Sequence, residues 1–129
     1  MEDFKNLIIK DVFIVVVNLT RATIKEADRL KRILDKDIEN HIRKIVIDLS
    51  TCEFMDSTFI GVLVVALKKI AKISGELHIV RPASIAETVL VKSGTMNIFN
   101  VYNTIEEAVE SFQSPIVTDN NSKANYFYQ

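Results

Sequence analysis

The chain has 129 residues, 48% hydrophobic and 26% charged, the size and balance of one globular domain and not of a disordered segment. Its 16 Lys plus Arg against 17 Asp plus Glu leave a net charge of −1, which excludes a general attraction to nucleic acid or an anionic membrane. No apolar run reaches the ~20 residues of a bilayer span, the acidic start is unlike a secretory signal, and the lone Cys52 allows no internal disulfide, so a cytoplasmic protein without membrane insertion is expected.

Two β-rich runs come first, Leu7 to Ile9 and VFIVVV from Val12 to Val17, with Lys10-Asp11 as the turn of a hairpin. Thr23 opens T-I-K-E, a capping box in which the Thr23 hydroxyl accepts from the Glu26 amide and the Glu26 carboxylate reaches back. The helix it starts is amphipathic. Ala27, Leu30, Leu34 and Ile38 recur at helical spacing, while Lys31, Arg32, Asp35 and Lys36 take the other faces. KIVIDL, Lys44 to Leu49, is almost continuously apolar, as a central strand buried on both faces must be.

After the loop Ser50 to Met55, a second helix runs from Ser57 to Ile73 and is apolar on every side in its first half. It ends at Ser74-Gly75, where glycine suits a left-handed position. Glu76 to Val80 is a further strand, and Pro82 ends it before a second capping box, Ser84-I-A-Glu87, opens a helix that Gly94 closes. Ile98 to Tyr102 fits a short last strand, and Thr104-I-E-Glu107 is a third capping box opening a helix to about Phe112. From Ser114 onward, SPIVTDNNSKANYFYQ loses periodicity and reads as a flexible tail, dispensable for stability. The order β-β-α-β-α-β-α-β-α predicts a single α/β domain over residues 1–113, with a mixed sheet of four to five strands and helical, right-handed crossovers.

Catalytic chemistry is thin. His41 and His78 stand at no metal-ligand spacing, and there is no GxGxxG, Walker-type or GxSxG motif. Asp48 and Asp56 could be drawn as a carboxylate pair, but one lies inside a strand and the other at a helix start. A hydrolase using Ser57 would have only the two histidines to choose from as its base. What remains is FMDSTFIGVLVV, where Asp56, Ser57 and Thr58 precede the most apolar run of the chain. A helix cap, worth ~1 kcal/mol, needs only one of them. A helix N-terminus also tolerates an anion, and a phosphate on Ser57 would add about −1.5 to −2 charge at one exposed point.

The run IVIDLSTCEFMDSTFIGVLVVALKKIAKISGELHIV resembles the central segment of the STAS domain, found in anti-sigma factor antagonists and at the cytoplasmic ends of sulphate transporters. The strand ending in D-L-S, the F-M-D-S-[ST] loop and the I-G-V-L helix carry the likeness together, and it extends over residues 7 to about 112. In that family a partner kinase phosphorylates the first serine of D-S-[ST], which implies Ser57 here. The resemblance implies a non-catalytic antagonist that, unphosphorylated, holds an anti-sigma factor which is also a serine kinase of the histidine-kinase-like ATPase type. Phosphate on Ser57 would release that partner, and a metal-dependent serine phosphatase would reset the switch. The ATP and the metal belong to the partners, so no cofactor is expected.

Partner contacts implied by the family fall on Asn18, Thr20 and Arg21 and, around Ser57, on Asp56, Thr58, Phe59 and Gly61. Phe59 stands where the family most often has glycine, which implies an aromatic ring near the phosphorylation site. Asn18-Leu19-Thr20-Arg21 replaces the common G-x-L-D loop, which implies a different partner surface. Gly61 costs ~1 kcal/mol relative to alanine inside a helix, either for close approach of another backbone or for packing on its own sheet. The alternative function is a constitutive scaffold or subunit of a transport or stress-signalling complex, with Ser57 only a helix cap.

Overall fold

Because the first two apolar runs are separated by only Lys10 and Asp11, they fold back on each other. β1 (Phe4–Ile9) and β2 (Val12–Val17) form an antiparallel hairpin closed by Ile9 and Val12. Lys10 makes the turn with a φ of +58°. The computed structural model describes residues 2–83, 92 and 94–113, and the second capping box at Ser84 and the tail after Gln113 lie outside them. Next come a two-residue strand, β3 (Arg21–Ala22), and α1 (Ile24–Glu39). The capping box of α1 is formed, with the Glu26 carboxylate accepting from the Thr23 amide at 3.0 Å. β4 (Lys44–Asp48), β5 (Phe54–Met55), α2 (Ser57–Ala71), β6 (Glu76–Val80), β7 (Asn100–Tyr102) and α3 (Ile105–Gln113) follow.

Five strands make one mixed sheet in the order β1-β2-β4-β6-β7, with β1 antiparallel and the other three pairings parallel. β4 is central, and strand alternation explains its near-continuous apolar sequence. Ile45 and Ile47, with Val15, Val17, Leu77 and Ile79, point toward α1 and α2. Val46, with Val12, Ile14 and Val80, meets Ala108 and Val109 of α3 on the other face. Cys52 is buried as a small core residue, and desolvation, then the neighbouring Asp48, pushes its thiol up to about 12.

Several details differ from expectation: β1 starts at Phe4 and not at Leu7, α2 ends at Ala71 and not at Ile73, and the expected loop Ser50 to Met55 contains β5. Ile98 closes a short 3-10 turn, Thr95–Ile98, so β7 begins only at Asn100. In the third capping box Thr104 accepts from the Glu107 amide, but the Glu107 carboxylate reaches one residue further back, to the Asn103 amide. At the end of α2 the left-handed residue is Ser74, with φ +62°, and not Gly75. The amides of Ser74 and Gly75 donate to the Ala71 and Ile70 carbonyls, which closes the helix in a Schellman arrangement. Gly75 is needed for a different reason: a Cβ there would lie 2.7 Å from Ile70 Cγ1 and 2.8 Å from the Arg43 carbonyl oxygen. The chain entering β4 passes too close for any side chain.

His78 ties α3 to the sheet. It is 3% exposed, with Nδ1 2.8 Å from Ser111 Oγ, Nε2 2.8 Å from Glu76 Oε1, and its ring stacked on Phe112. Burial lowers its pKa from the usual histidine value, against the pull of Glu76.

Gly75→Ala should destabilise the domain by about 1–3 kcal/mol through that backbone clash, seen as a lower urea midpoint at unchanged slope. For His78 the folded pKa lies below the unfolded one, so the unfolded chain binds the extra proton. Its contribution is present above the unfolded pKa of about 6.5 and is lost as pH falls through that value, at up to about 1.4 kcal/mol per pH unit. Urea titrations from about pH 7 to 5 should record this loss, and His78→Gln should flatten it; a wild-type profile no steeper than that of the variant would contradict the account.

Candidate functional site

Two loops meet beyond the C-terminal ends of the parallel strands β2 and β4. They are zipped together by β3 and β5, which pair in parallel with Arg21 opposite Phe54 and Ala22 opposite Met55. The Thr20 carbonyl accepts from the amides of Glu53 and Phe54 at 2.8 and 3.1 Å, and the Ala22 carbonyl accepts from the Asp56 amide at 3.1 Å. Ala22 and Met55 are buried beneath, while the Arg21 guanidinium lies 4.3 Å from the centroid of the Phe54 ring.

Asp56 closes two helices at once. Its Oδ1 accepts from the Phe59 amide at 2.9 Å, capping α2, and its Oδ2 accepts from the Ile24 amide at 2.8 Å, at the first residue of α1. Both oxygens are therefore committed to backbone. Asp48 is buried in β4 and accepts from the Ser50 amide through Oδ1 at 2.9 Å, and no hydrogen bond links the two carboxylates, so they do not form an acid–base pair. Ser57 opens α2 on the surface, and its hydroxyl makes no hydrogen bond to the described residues.

Thr58 is exposed one position further on and lines an apolar hollow of about 260 Å³ between α1 and α2, with Leu34, Gly61, Val62, Val65 and Ala66. At its rim Asp35 bridges Lys31 and Lys69, each at 2.9 Å. The hydrogen bond from Lys31, reinforced by Lys69, holds the Asp35 carboxyl below the usual range despite some burial. A Cβ at Gly61 would meet nothing within 4 Å. Packing of α2 on its own sheet therefore does not demand that glycine; its missing side chain widens the hollow toward solvent.

Of the residues singled out in the sequence, Thr20, Arg21, Asp56, Ser57 and Thr58 are drawn together by the two loops, and Gly61 lies one turn along α2. Asn18 is held on the β1 side, its backbone and side-chain N–H groups donating to the Asp3 and Glu2 carbonyls. Phe59 requires correction. It is fully buried, on the stripe of α2 with Ile60, Leu63, Ala66 and Ile70, so the ring that replaces the family's glycine anchors the helix to the core and is not a surface contact beside Ser57. His41 takes φ +63° just past the end of α1, and His78 lies under α3; neither is bonded to Ser57. Sequence reasoning missed Phe54 as the seat of Arg21 and Val62 and Val65 as walls of the hollow. The signal was present in the uniformly apolar first half of α2, which has more apolar faces than one sheet can cover.

A profile of the STAS domain matches residues 5–108. A Thermotoga neapolitana protein provisionally named an anti-sigma factor antagonist is 32% identical over 111 residues, covering 85% of this chain and 97% of its own. The crystal structure of a Thermotoga maritima protein of the same description superposes with a TM-score of 0.76 at 30% identity, covering 86% of this chain and 95% of that one. The Bacillus cell fate determinant SpoIIAA in its phosphorylated form has the same fold, with a TM-score of 0.67 at 15% identity over 84% of this chain and 98% of its own.

Removing the shared carboxylate should be felt at both helices. Asp56→Ala should cost about 1–2 kcal/mol, more than an ordinary N-cap loss, while Asp56→Asn, with one carbonyl oxygen for two amides, should lose about half of that. Urea unfolding of the three chains side by side gives the order, and equal stability of wild type and Asp56→Asn would contradict the double cap.

Proposed function

The chain belongs to the STAS domain family, and on that premise we propose that it acts as an anti-sigma factor antagonist whose partner binding is controlled by phosphorylation of Ser57. Unphosphorylated, it holds an anti-sigma factor that is also a serine kinase of the histidine-kinase-like ATPase type. The surface involved comprises Thr20, Arg21 and Thr58 around Ser57, with the hollow beside Gly61. Phosphate on Ser57 releases the partner, and a serine phosphatase restores binding. The chain itself is non-catalytic and works in the cytoplasm; among the described residues no helix is long and apolar enough to cross a membrane.

One observation carries this reading. Asp56 is the N-cap of α2, and the exposed Ser57 hydroxyl has no hydrogen bond to the described residues. A serine retained only as a cap would be spending its hydroxyl on the helix. This one is left available at the point where two loops and two helix N-termini converge, which favours the switch over a scaffold in which Ser57 serves as a cap. A phosphate there meets a partner surface fitted to a neutral hydroxyl with an unpaired, desolvated anion.

With a purified anti-sigma factor of the serine-kinase type, Ser57→Ala should keep binding and accept no phosphate. Ser57→Asp, carrying about one charge, should weaken binding at least tenfold, or ~1.4 kcal/mol. Thr58→Ala is the control, since that hydroxyl lies about 100° further around the helix and should leave Ser57 phosphorylation intact. Mass spectrometry after incubation with ATP locates the phosphate; finding it on Thr58 alone, or nowhere, would overturn the assignment.

A further inference from the structure

β1 ends the sheet on one side with six residues, whereas β7 ends it on the other with three. The Asn18 amide donates to the Asp3 carbonyl at 2.8 Å, and in an antiparallel ladder residues that bond the neighbouring strand alternate with residues that do not. Asp3, Lys5, Leu7 and Ile9 therefore bond toward β2. The amides and carbonyls of Phe4, Asn6 and Ile8 point outward at this edge, with no hydrogen-bond partner among the described residues. The same edge carries exposed apolar side chains, Ile8 at 63% and Ile9 at 38%. On its α1 side is a hollow of about 380 Å³ bounded by Ile8, Phe13, Ile33, Lys36 and Asp37.

We propose that the β1 edge is a self-recognition surface, on which a second copy of this chain pairs antiparallel about a two-fold axis through Asn6. The three outward residues are symmetric about Asn6. Self-pairing places Asn6 opposite Asn6 and Phe4 opposite Ile8, so every outward amide and carbonyl is satisfied and the exposed Ile8 side chain is covered. Charge agrees with this register in part. Glu2 falls opposite Lys10 of the second copy, and the reversal of direction brings the Arg29–Arg32 end of one α1, whose arginines pair with Asp3 and Asp28, toward Lys36 and Asp37 of the other. Asp37 has no ion pair among the described residues, and burial raises its pKa, so it gains from an arginine nearby. Lys5 opposes the contact, because it lies diagonally across from its own copy. Edge lysines commonly discourage pairing, and this one keeps the association weak and dependent on concentration.

The register can be tested directly, and independently of Ser57. Cys52 is buried with its thiol pushed up to about 12, so an introduced cysteine is the reactive one. In Asn6→Cys the two-fold axis sets position 6 against itself about 5.5 Å apart between Cα atoms, within disulfide reach. Mild oxidation should yield a covalent dimer, and the exposed control Ala71→Cys should not. Sedimentation of the full chain should give a monomer–dimer equilibrium that Asn6→Pro and Ile8→Lys abolish. Asn6→Pro removes only an outward amide, as edge strands tolerate, and Ile8→Lys tests the same contact should the proline variant fail to fold. A wild type that stays monomeric up to about 1 mM, a dimer that survives both substitutions, or Ala71→Cys crosslinking as readily as Asn6→Cys would overturn the proposal.

Discussion

The Asp56 carboxylate, accepting from the first turns of both α1 and α2, is the contact on which the geometry of the site depends. Each helix N-terminus carries about half a positive charge from its unpaired amides, and two such ends brought side by side repel. A full negative charge shared between them offsets that repulsion and fixes the angle at which the helices leave their loops. The β3–β5 pairing does the same for the loops, since the Ala22 carbonyl holds the Asp56 amide while the Asp56 side chain holds Ile24. The position of Ser57 follows from this arrangement, with no contribution from its own side chain.

α2 is consequently a helix with two apolar sides and different uses for them. Phe59, Ile60, Leu63, Ala66 and Ile70 face the sheet and are buried. Val65 remains 46% exposed, beside Val62 and Gly61 in the hollow against α1. An apolar outer face on a short domain loses hydrophobic stabilisation until something covers it, so the features that make α2 a costly surface in isolation suit it to a protein partner. Gly61 belongs with these features: an alanine would fit there and would favour the helix, yet it would narrow the hollow.

Much of this was legible because it is local. The Thr23 capping box, the two-sided apolar strand Lys44 to Leu49 and the hairpin around Lys10-Asp11 each depend on a few neighbouring residues, and propensity alone points to them. Contacts between distant segments were hidden. Nothing in a sequence places the Ile24 amide against Asp56, or marks Arg21–Ala22 and Phe54–Met55 as a pair of two-residue strands. Gly75 illustrates the intermediate case: the glycine was recognised as necessary, but its reason, the Arg43 backbone, comes from another segment, while Ser74 takes the left-handed turn assigned to it. Phe59 shows the limit of a family pattern, since a ring in place of glycine reads as a surface change until the helix face is known.

The way in which negative charge can arrive at this site also follows from Asp56. In many proteins a helix N-terminus at the carboxyl end of parallel strands binds a free anion through its amides. Here the Phe59 and Ile24 amides are already taken, and the partial charges of two helix ends, about +0.5 each, are balanced by one carboxylate. Apart from the exposed Arg21, a dissolved phosphate meets few free donors there. A phosphate bonded covalently to Ser57 needs no affinity for the site, since the covalent bond keeps it there. Its charge would act outward from the exposed first turn of α2. On the proposed reading, such a site answers to a kinase and a phosphatase and hardly to ligand concentration.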